Sequence, residues 1–250
     1  MITMKPAEIA ILISCSFAFI SSYFAVAIPL GAVFTSISTI FIFIFAIPLI
    51  YSLVIWLGWK KGAIVLVSLG GLSIAVEMFA ILTGIPYGSF QYSGTLGYHF
   101  LNVPLSVPLA YLPILLGSFT LSNHLLRSPT RLQNTLLSAL INTIIDFLID
   151  PTAVRAHFWF WQEGGFFYEV PLVNFLGWLC TGFIYSHILY AFLRTELERT
   201  KIPLNLTYSL RLILSFWVGY ALWNNLAIPA LIGSAVLCVA TIFNIRAHMV

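Results

Sequence analysis

Three carboxylic acids interrupt apolar stretches in the middle of the chain: Glu77, Asp146 and Asp150. Asp146 and Asp150 are four residues apart and so share one helix face. Asn142 extends that face by one turn, whereas Ile144, Ile145, Phe147 and Leu148 around it are apolar. A polar stripe on an apolar helix turns to a bundle interior or a cavity. Buried acids of this kind suit proton transfer to an apolar substrate. One acid protonates an alkene, aromatic faces steady the resulting carbocation, and a second, ionised carboxylate supports it until water adds or a proton leaves. Simpler roles stand beside this one: Asp150-Pro151 would also cap a loop, and Asp146 would also serve as a hydrogen bonder between packed helices.

Composition says what must position these acids. Apolar residues make up 60% of 250 positions and charged residues only 8%. A soluble domain carries about 25% charge, so soluble enzymes, nucleic-acid binders and disordered chains are excluded. The chain is expected to be all-α, a single integral-membrane domain over residues 1–250 with seven or eight transmembrane helices. Apolar runs near 8–28, 34–58, 62–83, 105–124, 132–150, 172–193, 207–224 and 226–244 are each close to the ~20 residues that span a bilayer. Pro29 and Gly31 close the first run, which reads as an uncleaved helix although Ala25-Val26-Ala27 resembles a signal-peptide cleavage site. In a membrane an acidic side chain is costly and marks a candidate functional site. Cys15, Cys180 and Cys238 match no paired or metal-ligand spacing and read as buried small hydrophobes.

The net charge of +3 reads as a topology signal. Lys5, Lys60, Lys61, Arg127, Arg131, Arg194, Arg199, Lys201, Arg211 and Arg246 fall on one side of an eight-span arrangement, with Arg155 alone on the other. That asymmetry predicts a multi-pass protein of the cell membrane with both termini in the cytoplasm. The loops 84–104 and 151–171 are then external. They carry Tyr87, Tyr92 and His99, and His157, Trp159 and Trp161, interleaved with Gly, Gln and Asn. Each ends at a Val-Pro: Val103-Pro104 and Val170-Pro171. An interfacial aromatic belt accounts for single rings but less well for that mixture, and the loops are expected to fold back over the acids. Asn174 and Trp178, one turn apart at the start of the sixth run, would complete the same pocket.

Several membrane-enzyme chemistries lack their residues. There is no H-E-x-x-H and no G-x-S-x-G. The Asp146/Asp150 pair is too sparse for a magnesium-diphosphate site. All four lysines lie at predicted helix ends, which disfavours a Schiff base, and five scattered histidines are too few for a di-iron centre. A metal site assembled from Glu77, His99, Asp146 and His157 is a minor alternative; no metal is expected.

The chain resembles the membrane carotenoid-biosynthesis family that includes carotenoid 1,2-hydratases and haloarchaeal bisanhydrobacterioruberin hydratase. The resemblance rests on Glu77 with Thr83-Gly84-Ile85-Pro86-Tyr87-Gly88 and Tyr92; Val103-Pro104; Asp146 with Asp150-Pro151, Trp159 and Trp161; and Val170-Pro171 with Asn174-Phe175, Gly177 and Trp178. It covers about 100 central residues. Ser106 to Ala110 departs from it, where a more aromatic start to the fourth helix is expected. The resemblance implies hydration of a terminal isoprenoid double bond of a linear or monocyclic carotenoid, without a redox cofactor. Glu77 or Asp146 would be the general acid and Asp150 would position water. Tyr87, Trp159, Trp161 and Trp178 would line the end-group pocket with Tyr92, and Asn142 and Asn174 would orient the acids. The partners would be a carotenoid and membrane lipid, with no nucleic acid. A carotenoid end-group cyclase would need nearly the same residues, and a non-catalytic carotenoid- or lipid-binding protein would share the apolar pocket.

Overall fold

The computed structural model describes residues 4–28, 33–126 and 129–248. Pro29, Gly31 and Arg127 lie outside the described residues. Eight α-helices follow one another among those described: α1 (Pro6–Ala27), α2 (Val33–Leu57), α3 (Trp59–Thr83), α4 (Val107–Leu125), α5 (Arg131–Arg155), α6 (Leu172–Leu197), α7 (Tyr208–Trp223) and α8 (Ala227–His248). Their bounds follow the punctuation of the chain. Gly58, at φ 76°, breaks α2 from α3 so tightly that Lys60 and Lys61 fall in the first turn of α3. Thr130 and Gln133 form a reciprocal capping box at the start of α5.

Pro151 does not end its helix. α5 continues through it to Arg155, so Asp150 sits inside the helix and caps no loop. Buried neighbours can re-satisfy the backbone groups that a proline frees within a membrane bundle.

Six of the eight helices are long and apolar enough to cross a membrane, which makes this a multi-pass membrane protein. The other two are α4 and α7. At ~1.5 Å per residue, the 16 residues of α7 extend only about 24 Å, short of a ~30 Å hydrocarbon core. Both helices are among the most buried of the bundle. α4 packs against α2, α3, α5, α6 and α7, and α7 against α1, α2, α4, α5 and α8. Protein rather than lipid surrounds them, so their sequences can be less uniformly apolar.

Arg211 is no surface marker of topology. It lies fully buried in α7, where its Nη2 is 2.8 Å from Oε1 of Glu8 in α1. The cysteines also depart from expectation: Cys180 and Cys238 are exposed on the outside of the bundle, and only Cys15 is partly covered.

Candidate functional site

The two long loops lie at one end of the bundle and pair with each other. β1 (Phe90–Tyr92) runs antiparallel to β4 (Trp159–Trp161), opposing Phe90 to Trp161, Gln91 to Phe160 and Tyr92 to Trp159. Alternation along a strand turns Gln91 and Phe160 outward, where both are exposed, and sends the other four rings down onto the helices. Within the first loop, β2 (His99–Phe100) pairs with β3 (Val103–Pro104). Cross-loop bonds from Ser93 N–H to the Phe158 carbonyl (2.9 Å) and from Gln162 N–H to the Ser89 carbonyl (3.1 Å) extend the pairing of β1 and β4.

Glycine sets how closely this cap approaches the helices. Gly84 closes α3 in the left-handed region at φ 74°, with its N–H donating to the Ala80 carbonyl at 2.7 Å. The turn that follows lies directly on α6. A Cβ at Gly177 would stand 2.7 Å from both the Pro86 carbonyl oxygen and the Tyr87 ring. Only glycine fits there, which accounts for Gly177 beside the Gly84-Ile85-Pro86-Tyr87 turn.

The cap fixes the acids through one cross-strand pair. Tyr92 Oη donates to Glu77 Oε2 at 2.9 Å, and Trp159 Nε1 donates to Asp150 Oδ1 at 3.1 Å. The Tyr92 and Trp159 rings meet edge to face at 5.8 Å. Burial pushes the Tyr92 phenol well above its usual range, so it remains a neutral donor to Glu77. From the other side Asn174 on α6 donates through Nδ2 to Asp146 Oδ2 at 3.1 Å and also to Asp150 Oδ2. Glu77, Asp146, Asp150 and Asn174 are all buried.

These groups face a cavity of about 350 Å³. The ten residues expected to act as acids or to line the pocket all line it: Glu77, Tyr87, Tyr92, Asn142, Asp146, Asp150, Trp159, Trp161, Asn174 and Trp178. Tyr87 stacks on Trp178 at 4.8 Å and donates to Thr181 Oγ1 at 3.0 Å. Trp161 Nε1 donates to the Tyr87 carbonyl at 2.9 Å. No hydrogen bond joins Asn142 to an aspartate: the residue lines the cavity, but its buried Oδ1 has no protein partner.

No basic side chain pairs with the cavity acids among the described residues. The ion pairs are Lys61–Glu196, Arg194–Glu198 and Arg211–Glu8, and Arg155 is bonded to Asn224 instead. His99 and His157 are exposed on the loops and do not line the cavity. No group of three or more His, Cys, Asp or Glu is arranged to hold a metal among the described residues.

A sequence profile described as carotenoid biosynthesis protein matches residues 30–240. The chain belongs to this family. It is also 30% identical over 194 residues to bisanhydrobacterioruberin hydratase of Haloarcula japonica, a match covering 71% of this chain and 64% of that relative. The chain thus spans less than two thirds of the relative's length. No solved structure matches.

Some lining residues of this family member were not evident from the sequence. Tyr111 is one: its ring lies 5.1 Å from Trp178 and its buried hydroxyl has no protein partner. It stands in α4 one residue beyond Ala110. Phe41 and Phe45 on α2 and Phe216 and Trp217 on α7 also line the cavity. Their only signal was an aromatic pair at helical spacing on α2 and an aromatic cluster on α7, patterns that ordinary packing produces as readily.

Proposed function

We propose that this protein adds water across a terminal isoprenoid double bond of a linear or monocyclic carotenoid, giving a tertiary alcohol. One observation carries the reading: three carboxyl groups with no basic partner among the described residues converge on an apolar, aromatic cavity. Charges buried without a counter-ion are costly, so protons rather than cations balance this cluster. A cluster that holds protons beside apolar space can donate one to an alkene. The hydratase name of the Haloarcula relative supports the reaction class.

In this mechanism Asp146 or Glu77 gives a proton to the less substituted alkene carbon. The tertiary cation forms between the Tyr87–Trp178 stack and the Trp159 and Trp161 rings, whose faces attract positive charge. Asp150, fixed by Trp159 and Asn174, accepts a proton from water as the water oxygen bonds to the cation. Asp146 and Asp150 share the Asn174 amide as donor, so a proton taken up at one is held next to the other and can restore it. The sum is addition of one water, with no electron transferred. With the cationic loops placed in the cytoplasm, the cavity lies in the opposite leaflet of the cell membrane.

The test is expression in a host that makes a linear carotenoid, followed by mass analysis of the pigments. The expected product is heavier by one water and lost with Glu77→Gln, Asp146→Asn or Asp150→Asn. An isomer of unchanged mass would make the protein a cyclase. Pigment bound but unaltered would make it a carrier. Hydration surviving all three substitutions would remove the proposal.

A further inference from the structure

The cavity continues past the acids. One end holds Glu77, Asp146 and Asp150; the other is walled by Phe24 of α1, by Ile28 just past its end, and by Phe41 and Phe45 of α2. α1 packs along α7, and α2 packs on α3, α4 and α7, but no packed seam joins α1 to α2 among the described residues. The floor between them is Phe216 and Trp217 of α7. Aromatic rings connect the two ends without a break. Trp159, the donor to Asp150, is 6.3 Å from Phe158; Phe158 is 5.7 Å from Trp217; Trp217 is 5.2 Å from Phe216; and Phe216 is 6.3 Å from Phe41 and 6.1 Å from Phe45. On α1 the wall is kept thin by Ser21 and Ala25, one turn apart. Phe24 and Ile28, beside them, are 52% and 47% exposed on the outside of the bundle.

Size gives this geometry a use. A cavity of about 350 Å³ is at the small end of the ~300–1,000 Å³ typical of small-molecule sites, enough for an end group but not for a long polyene. The paired loops close the end of the bundle over the acids. We infer that the gap between α1 and α2 is a lateral slot through which the polyene reaches the acids from the lipid, its unreacted length lying on the aromatic track of α7. The inference rests on the carotenoid reading above. A substrate dissolved in lipid then never crosses the polar loops, and the slot rather than the acid cluster sets which chain lengths are admitted.

Cross-linking tests this separately from the reaction. A benzophenone-bearing phenylalanine is placed at Phe24, Phe41, Phe43 or Phe79, and the purified protein is irradiated with a linear carotenoid. Phe24, Phe43 and Phe79 are 52%, 53% and 53% exposed, so partition into the surrounding apolar phase alone predicts equal labelling at these three. The slot predicts labelling at Phe24 and Phe41 about tenfold above Phe43 and Phe79. Ala25→Trp should depress both the Phe41 label and turnover, while Asp146→Asn abolishes turnover and leaves the label. Equal labelling at Phe24, Phe43 and Phe79, or an Ala25→Trp protein with unchanged label and turnover, would overturn the slot. Labelling confined to the slot without any hydrated product would overturn the reaction and leave the slot standing.

Discussion

Asn174 gives the sharpest test of the acid cluster. It is 1% exposed and its amide nitrogen donates to both Asp146 and Asp150. Asn174→Leu keeps the side-chain shape and removes both donors. A hydrogen bond to an ionised group contributes about 1.5–3 kcal/mol, and a buried acceptor left alone loses a similar amount. If about 3 kcal/mol of that ordering is felt at the transition state, kcat falls roughly 150-fold, at 1.36 kcal/mol per tenfold. KM should move little, because the cavity wall retains its apolar surface. The assay is turnover of a linear carotenoid by protein in detergent or vesicles, with thermal unfolding followed on the same sample. A folded Asn174→Leu protein with a kcat within about threefold of wild type, less than 1 kcal/mol, would refute the idea that Asn174 orients the aspartates for chemistry.

Three further outcomes follow from single contacts. Trp159→Phe keeps an aromatic face in the cavity but removes the 3.1 Å bond to Asp150, so product formation should fall about tenfold for the ~1–1.5 kcal/mol of one hydrogen bond, as read by pigment analysis. Gly177→Ala places a methyl 2.7 Å from the Pro86 oxygen and the Tyr87 ring, an overpacking of about 1–3 kcal/mol; a lowered Tm together with reduced turnover is expected, since the displaced turn carries a cavity wall. Glu8→Leu leaves Arg211 buried without its partner and should cost about 3–5 kcal/mol, whereas Glu8→Leu with Arg211→Met should recover most of it. Thermal scans of both proteins in one detergent decide whether that pair is structural.

The helices were legible because Gly, Pro and charged residues punctuate long apolar runs, as at Gly58 and Gly84. The acids were legible because so few lie within those runs. Less could be read about depth. The polar residues of α4 and α7, Arg211 among them, could be read as helix ends facing water as readily as a buried interior, so the central placement of these two helices came only with tertiary packing, as did the outward turn of Cys180 and Cys238. The pairing of β1 with β4 was equally hidden: three residues on each of two distant loops carry too little pattern to specify a register. Asn142 shows the limit on one helix. Its spacing from Asp146 places it on the correct face but cannot say whether it bonds to an acid.

Glu8 shows why a buried acid is not by itself a site. In a sequence it resembles Glu77, one carboxyl group in a long apolar helix. In the fold it meets Arg211 at 2.8 Å, and the two charges cancel inside the α1–α7 contact. Glu77, Asp146 and Asp150 instead receive only neutral donors, Tyr92, Trp159 and Asn174. A neutral donor orients a carboxyl oxygen without supplying the fixed positive charge that holds it as a permanent anion. Such a carboxyl group can exchange a proton during a reaction cycle, which an acid locked to a guanidinium does at much greater cost. On the proposed reaction, the partner's charge is what separates a structural acid from a proton donor in this bundle. A lysine or arginine introduced beside Asp146, for example at Asn142, should convert the proposed proton-donating cluster into the structural kind. Asn142→Lys is accordingly expected to abolish hydration while the protein still folds and binds pigment, and hydration that persists in a folded Asn142→Lys protein would count against protonic balance in the cluster.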